Sequence, residues 1–217
     1  RDGLKIHTTI DPKIQRIIEN SFQENMINNQ KALNNEFINN PWRLKKIVSG
    51  TDYEVDEVLE ILKNDEVIPR ELRSKLLVQG AVVAIDPTSG NILGMIGGRQ
   101  EEEYLDLHGF NRATQAKRQP GSIFKPFIYM TAIEEGATPS TQLLNQPLVV
   151  FIDDTTQWNP QNHDGSTGLL TTLREGLKKS LNLISVRVAQ ELVKPKKIAQ
   201  KAKSFNLSTR IASVESI

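Results

Sequence analysis

Two nearly uninterrupted apolar runs, AVVAI at 81–85 and ILGMI at 92–96, flank DPTSGN, a string of turn formers. Proline, glycine, asparagine and aspartate supply the dihedrals that reverse a chain. Short apolar runs on either side fit strands, so 80–98 is predicted to be a β-hairpin. Neither run alternates with polar residues, so both strands are expected to be covered on both faces, with the sheet lying between helical layers.

The flanking segments supply those helices. Upstream, LKIHTTI at 4–10 alternates apolar and polar side chains and reads as a half-buried strand neighbouring the hairpin. Asp11 and Pro12 then form a cap and first-turn signal, with Ile14, Ile17, Ile18, Phe22 and Met26 on one helical face. From 28 to 77 the chain turns asparagine-rich, then charged, and reads as a helical insertion with helices in YEVDEVLEILKN and RELRSKLL. Downstream, the acidic stretch 99–109 reads as a solvated loop, PLVVFID at 147–153 as a strand, and WNPQNHDGSTG at 158–168 as a loop. Helical spacing resumes through Leu169, Leu173, Leu177, Leu181, Ile184 and Val188 with a joint near Ser180, and Pro195 opens a basic helix. The expected class is α+β: an antiparallel sheet flanked by helices, plus an all-helical lobe holding the Ser180 joint.

Composition narrows the chemistry. With 27 Lys and Arg against 26 Asp and Glu there is no basic footprint, and a nucleic-acid partner is not expected. No run approaches the roughly 18 apolar residues of a spanning helix, and no signal-peptide core opens the chain, so as given it is expected to be soluble. The absence of cysteine removes disulfides, thiol catalysis and thiolate metal sites. His7, His108 and His163 are scattered, with no ligand pair such as H-x-x-x-H, so no metal is expected.

The remaining chemistry lies in RQPGSIFKPFIYM at 118–130. Two readings of Ser122 compete: a helix cap with a solvated lysine nearby, or a nucleophile. A serine hydroxyl needs a base within reach, and Lys125, three residues on, shares its helix face. A lysine serves as a base only when burial or positive charge lowers its pKa, and SIFKPFIYM is strongly apolar. Pro126 is tolerated only in a first turn, which pins the helix start near Gly121 or Ser122. Backbone N–H groups at such a start can hold an oxyanion.

A further polar group must pass the proton onward. Three S-x-N strings are candidates: Ser89-Gly90-Asn91, Ser180-Leu181-Asn182 and Ser204-Phe205-Asn206. The first lies in the hairpin turn and the third at a helix exit, where such residues need no other reason. Ser180 and Asn182 sit at a joint between apolar-faced helices, where buried polar groups need partners, and they are the favoured pair.

The string GFNRATQAKRQPGSIFKPFIYMTAIEEG at 109–136 resembles the nucleophile segment of the transpeptidase domain of class A penicillin-binding proteins. GLKIHTTIDPKIQ, QGAVVAIDPTSGNILGMIGGR and WNPQNHDGSTGLLTTLREGLKKSLNLISVRVA resemble the same family in the same order. The resemblance implies a serine D,D-transpeptidase that cross-links peptidoglycan and is acylated by β-lactams. In it Ser122 attacks the D-Ala-D-Ala carbonyl, Lys125 is its base, Ser180 relays the proton, and Asn182 orients Lys125 and binds the donor amide. Gly121 and Asn162 are expected beside the substrate. No cofactor or metal is implied; the partners implied are peptidoglycan stem peptides, β-lactams and cell-wall synthesis proteins.

The departures are specific. The family's third motif, K-T-G or K-S-G, is absent after Asn182, and its glycosyltransferase domain and membrane anchor do not precede Arg1. The chain is therefore expected to be a partial transpeptidase domain with a helical insertion at 28–77, extracytoplasmic and anchored through a segment outside it. His163 stands where the family often has tyrosine. The alternatives are a D,D-carboxypeptidase or β-lactamase-type hydrolase, or an inactive β-lactam-binding or scaffold module.

Overall fold

The computed structural model describes residues 3, 5–99, 109–151, 155–207, 209 and 211. The stretch 100–108, most of the expected acidic loop, lies outside them. The chain divides into two compact units, Arg1–Lys117 and Arg118–Ile217.

In the first unit, helix α1 (Pro12–Asn39) begins where the sequence signals it: the Asp11 carboxylate accepts from Lys13 N and Ile14 N, and Pro12 sits in the first turn. Its 28 residues make a rod of about 42 Å. The near half packs Phe22 and Met26 against Ile96; the far half carries Phe37 into a second core with Leu44, Val58, Leu62, Ile68, Leu72, Leu76 and Leu77. That core is built with helices α2 (Leu44–Val48), α3 (Val55–Lys63) and α4 (Arg73–Leu76).

The asparagine-rich stretch continues α1 through Asn39, so the region 28–77 opens inside that helix. Gln30 and Asn34 explain why. Asn34 Nδ2 donates to Asp65 Oδ1, and Gln30 Nε2 donates to Asn34 Oδ1 and Leu76 O while its Oε1 accepts from Val78 N. Polar side chains on this face are thus satisfied by neighbouring segments and bind the layers together.

The hairpin forms as expected from β1 (Val82–Ile85) and β2 (Ile92–Ile96), antiparallel with Val82 opposite Ile96 and Ala84 opposite Gly94. Its turn is held by Ser89 Oγ donating to Asp86 Oδ2, with Gly90 at φ 74°. Two expectations change. Residues 5–10 form no strand: Thr9 Oγ1 donates to Ile92 O, Asp11 N to Leu93 O, and the Gln15 amide takes both Met95 N and Met95 O. Side chains, not a ladder, fill the outer edge of β2. Nor is β1 covered on both faces, since Val83 and Ile85 are exposed. A short helix α5 (Arg112–Gln115), capped by Asn111, completes this unit.

The second unit opens with a 3₁₀ turn, Gly121–Phe124, running into helix α6 (Lys125–Glu134). Strand β3 (Gln142–Leu144) pairs antiparallel with β6 (Leu170–Thr172), and β4 (Val150–Phe151) with β5 (Gln157–Trp158). Among the described residues the strands form three two-stranded ribbons in place of a single sheet, within the α+β class. Helices α7 (Leu173–Lys178) and α8 (Asn182–Arg187) follow, then a π turn, Val188–Leu192, and α9 (Pro195–Lys203). The helical spacing read from Leu169 onward gives way to strand β6 over its first residues. Thr172 starts α7 instead, its hydroxyl accepting from Glu175 N at 3.2 Å.

Ile128, Tyr129, Leu173, Leu181, Ile184, Val188 and Ile198 build the core of this unit. Gly176 sets how closely its helices approach, because a Cβ there would lie 2.5 Å from Ile184 Cγ2 and 2.7 Å from the Tyr129 hydroxyl. Gly176→Ala is expected to destabilise the chain by about 1–3 kcal/mol through overpacking, read as a lower urea midpoint.

Candidate active site

Lys125 is the first residue of α6, with Pro126 behind it in the first turn, where its missing N–H costs nothing. Apolar packing of α6 leaves Lys125 only 7% exposed. Its Nζ donates to Ser180 O at 2.6 Å, Asn182 Oδ1 at 2.7 Å and Ser180 Oγ at 3.0 Å. All three ammonium protons are thereby used, and burial holds the pKa of Lys125 below the ordinary lysine range.

Ser180 owes its place to the end of α7. Ser180 N donates to Leu177 O and Leu181 N to Gly176 O, the paired bonds of a Schellman ending. Its φ is 54°, in the left-handed region where glycine is usual, at a cost of about 1–2 kcal/mol for a serine. That conformation turns the carbonyl to Lys125 while the side chain supplies a hydroxyl glycine lacks. Asn182 opens α8, and its Nδ2 donates to Gln161 O at 2.8 Å, which orients the amide with its oxygen towards Lys125.

Ser122 is exposed on the 3₁₀ turn, one residue after Gly121 at φ 57°. The expected Lys125 to Ser122 hydrogen bond is not made: the lysine reaches across to Ser180 and Asn182, and none of its three donations goes to Ser122. Both residues nonetheless line one cleft of about 580 Å³, shared by Gly121, Asn182, Trp158 and Gln161. No local spacing marks Trp158 and Gln161 as part of the cleft; their one sequence signal is an aromatic opening a proline- and asparagine-rich loop.

The other S-x-N strings stay local. Ser89 bonds Asp86 within the hairpin turn, and Ser204 Oγ bonds Lys201 O at the end of α9. Asn162, expected beside the substrate, is 4% exposed and, unlike its neighbour Gln161, is not among the residues lining the cleft. Its amide is taken up by Asn145, Ser166 and Leu183. Among the described residues no group of three His, Asp or Glu could hold a metal ion.

Residues 80–216 match the sequence profile described as Penicillin binding protein transpeptidase domain. Penicillin-binding protein 1A of Neisseria flavescens is 41% identical over 120 residues, which are 54% of this chain and 14% of that protein. Penicillin-binding protein 1A of Rickettsia felis is 29% identical over an alignment covering 86% of this chain and 30% of its own length. The chain thus spans well under half of these relatives. Among solved structures, penicillin-binding protein 1A from Haemophilus influenzae superposes with a TM-score of 0.57 at 30% identity, covering 65% of this chain and 21% of that one. PonA1 from Mycobacterium tuberculosis, solved in complex with penicillin V, gives a TM-score of 0.58 at 26% identity, covering 98% and 42%.

Proposed function

As the chain belongs to the penicillin-binding protein transpeptidase domain family, we propose that it is the acylating part of a peptidoglycan D,D-transpeptidase with Ser122 as nucleophile. The observation that carries this reading is the buried Lys125, bonded to Ser180 and Asn182 and sharing a cleft with Ser122.

The hydrogen bonds support a proton route. When Lys125 gives up its proton, its lone pair requires a donor. Ser180 O and Asn182 Oδ1 can only accept, so they retain the two remaining N–H bonds and the lone pair faces a hydroxyl. Ser180 Oγ, at 3.0 Å, is that hydroxyl in the resting site, and Ser122 Oγ takes its place when substrate is bound. Ser122 Oγ then bonds to the carbonyl carbon between two terminal D-alanines while its proton passes to Lys125 Nζ. Collapse of the tetrahedral adduct breaks the C–N bond, and the leaving D-alanine amine takes a proton from Lys125 through Ser180. An amine from a neighbouring stem peptide accepts the acyl group by the reverse route. β-Lactams enter the same first step and remain attached.

Such stem peptides lie outside the cytoplasmic membrane, and the domain is assigned there, as the partial transpeptidase domain of a longer, anchored enzyme with 28–77 as its helical insertion. Among the described residues no helix is long and apolar enough to cross a membrane.

Incubation with benzylpenicillin followed by intact mass and peptide mapping tests the reading. One whole-penicillin adduct on the Ser122 peptide is expected. No adduct on this chain, nor on one extended past Ile217, overturns it.

A further inference from the structure

From the bonds that tie the loop 159–168 to α8, we infer that Asn162 is a positioning residue. It acts through Asn182 to set which end of that amide faces Lys125. The structural argument is independent of the chemistry; its effect on acylation rests on the transpeptidase reading.

Asn162 spends its whole amide on anchoring. Its Nδ2 donates to Asn145 Oδ1 at 2.9 Å and Ser166 O at 2.7 Å, and its Oδ1 accepts from Leu183 N at 3.1 Å. Leu183 N belongs to the first turn of α8, whose own preceding residue, Leu181, offers no side-chain cap. The orphan donor is therefore capped from a remote loop.

The adjacent residue supplies the second hold. Gln161 O accepts from Asn182 Nδ2 at 2.8 Å. That carbonyl shares one planar peptide unit with Asn162 N, so fixing Asn162 fixes the direction of the acceptor. Without it the Asn182 amide can turn over and present its NH₂ group to the Lys125 ammonium, where two donors face each other. Lys125 would lose one of its three acceptors and its alignment with the cleft.

The test pairs Asn162→Ala with Asn182→Ala, singly and together, and reads the limiting rate of acylation and the half-saturating concentration of benzylpenicillin. Asn162→Ala is expected to lower the limiting rate by about 10- to 100-fold, as a displaced reacting group does, with half-saturation little changed. The double variant is expected to be no slower than Asn182→Ala alone. An unchanged rate in Asn162→Ala overturns the inference, as does an equal, additive further loss in the Asn182→Ala background. A second measurement does not depend on acylation: hydrogen exchange of the Asn182 side-chain amide by ¹⁵N NMR, expected to be at least about tenfold faster in Asn162→Ala. If Asn162→Ala does not fold, Asn145→Ala, which removes one acceptor of the Asn162 amide, is read the same way. Parent exchange rates in a folded variant overturn the inference. A parent chain that is never acylated counts against the transpeptidase reading, and the exchange data still decide the role of Asn162.

Discussion

Replacing Lys125 by methionine is expected to slow acylation by benzylpenicillin by about 10²- to 10⁴-fold, the usual contribution of a positioned general base. Methionine fills the same buried volume, so lost packing does not account for the effect. Lys125→Arg should be equally impaired: it keeps the positive charge but cannot deprotonate, which separates a base from an electrostatic anchor. An arginine variant that retains the parent rate would remove Lys125 from the proton route.

The pH profile carries the same information. Only the neutral amine has a lone pair, so the rate should rise about tenfold per pH unit below the Lys125 pKa and level above it. Burial lowers that pKa, so the plateau begins at lower pH than for a solvated lysine. Stability follows the same sign. The unfolded lysine, with the higher pKa, binds more protons between the two values, so this site adds stability as pH rises through that window.

The largest stability effect is expected from Leu72→Ala. Leu72 is fully buried in the core that Phe37 of α1 shares with Leu44, Val58 and Leu62. Truncation should cost about 2–5 kcal/mol through lost transfer energy and a residual cavity. Each unit carries one of the two tryptophans, Trp42 and Trp158, so urea unfolding of Trp158→Phe followed by fluorescence reports the first unit alone. A loss near about 2 kcal/mol would mean the site collapses on the void, and one below about 1 kcal/mol would overturn the placement of Leu72 in that core.

Local signals were legible; long-range ones were not. DPTSGN gave the hairpin, and Asp11 with Pro12 the start of α1, because turns and caps act within four residues. The continuation of α1 past Asn28 depends on partners of Gln30 and Asn34 that lie 28 to 48 residues away, which no local pattern records. Residues 4–10 had strand alternation, but side chains at Thr9 and Gln15 already occupied the edge they would have joined. Leucine spacing concealed β6, although Thr172 with Glu175 was a readable capping pair. At the site, S-x-x-K and S-x-N are local strings that the sequence displays directly. That Lys125 meets Ser180 across 55 residues instead of Ser122 across three came from the fold. Asn162 lies in a loop string and is expected beside the substrate only through the resemblance; its burial depends on Asn145 and Leu183, both distant in the chain.

The covered edge of β2 also gives the hairpin a direction of growth. With the carbonyls of Ile92, Leu93 and Met95 and the amide of Met95 already engaged, an incoming strand finds no free register on that side. Recruitment is confined to β1, whose apolar Val83 and Ile85 carry none of the charges that commonly discourage strand addition. A helix amide and a threonine thus act as a stopper, and the ribbon can be enlarged from one flank only.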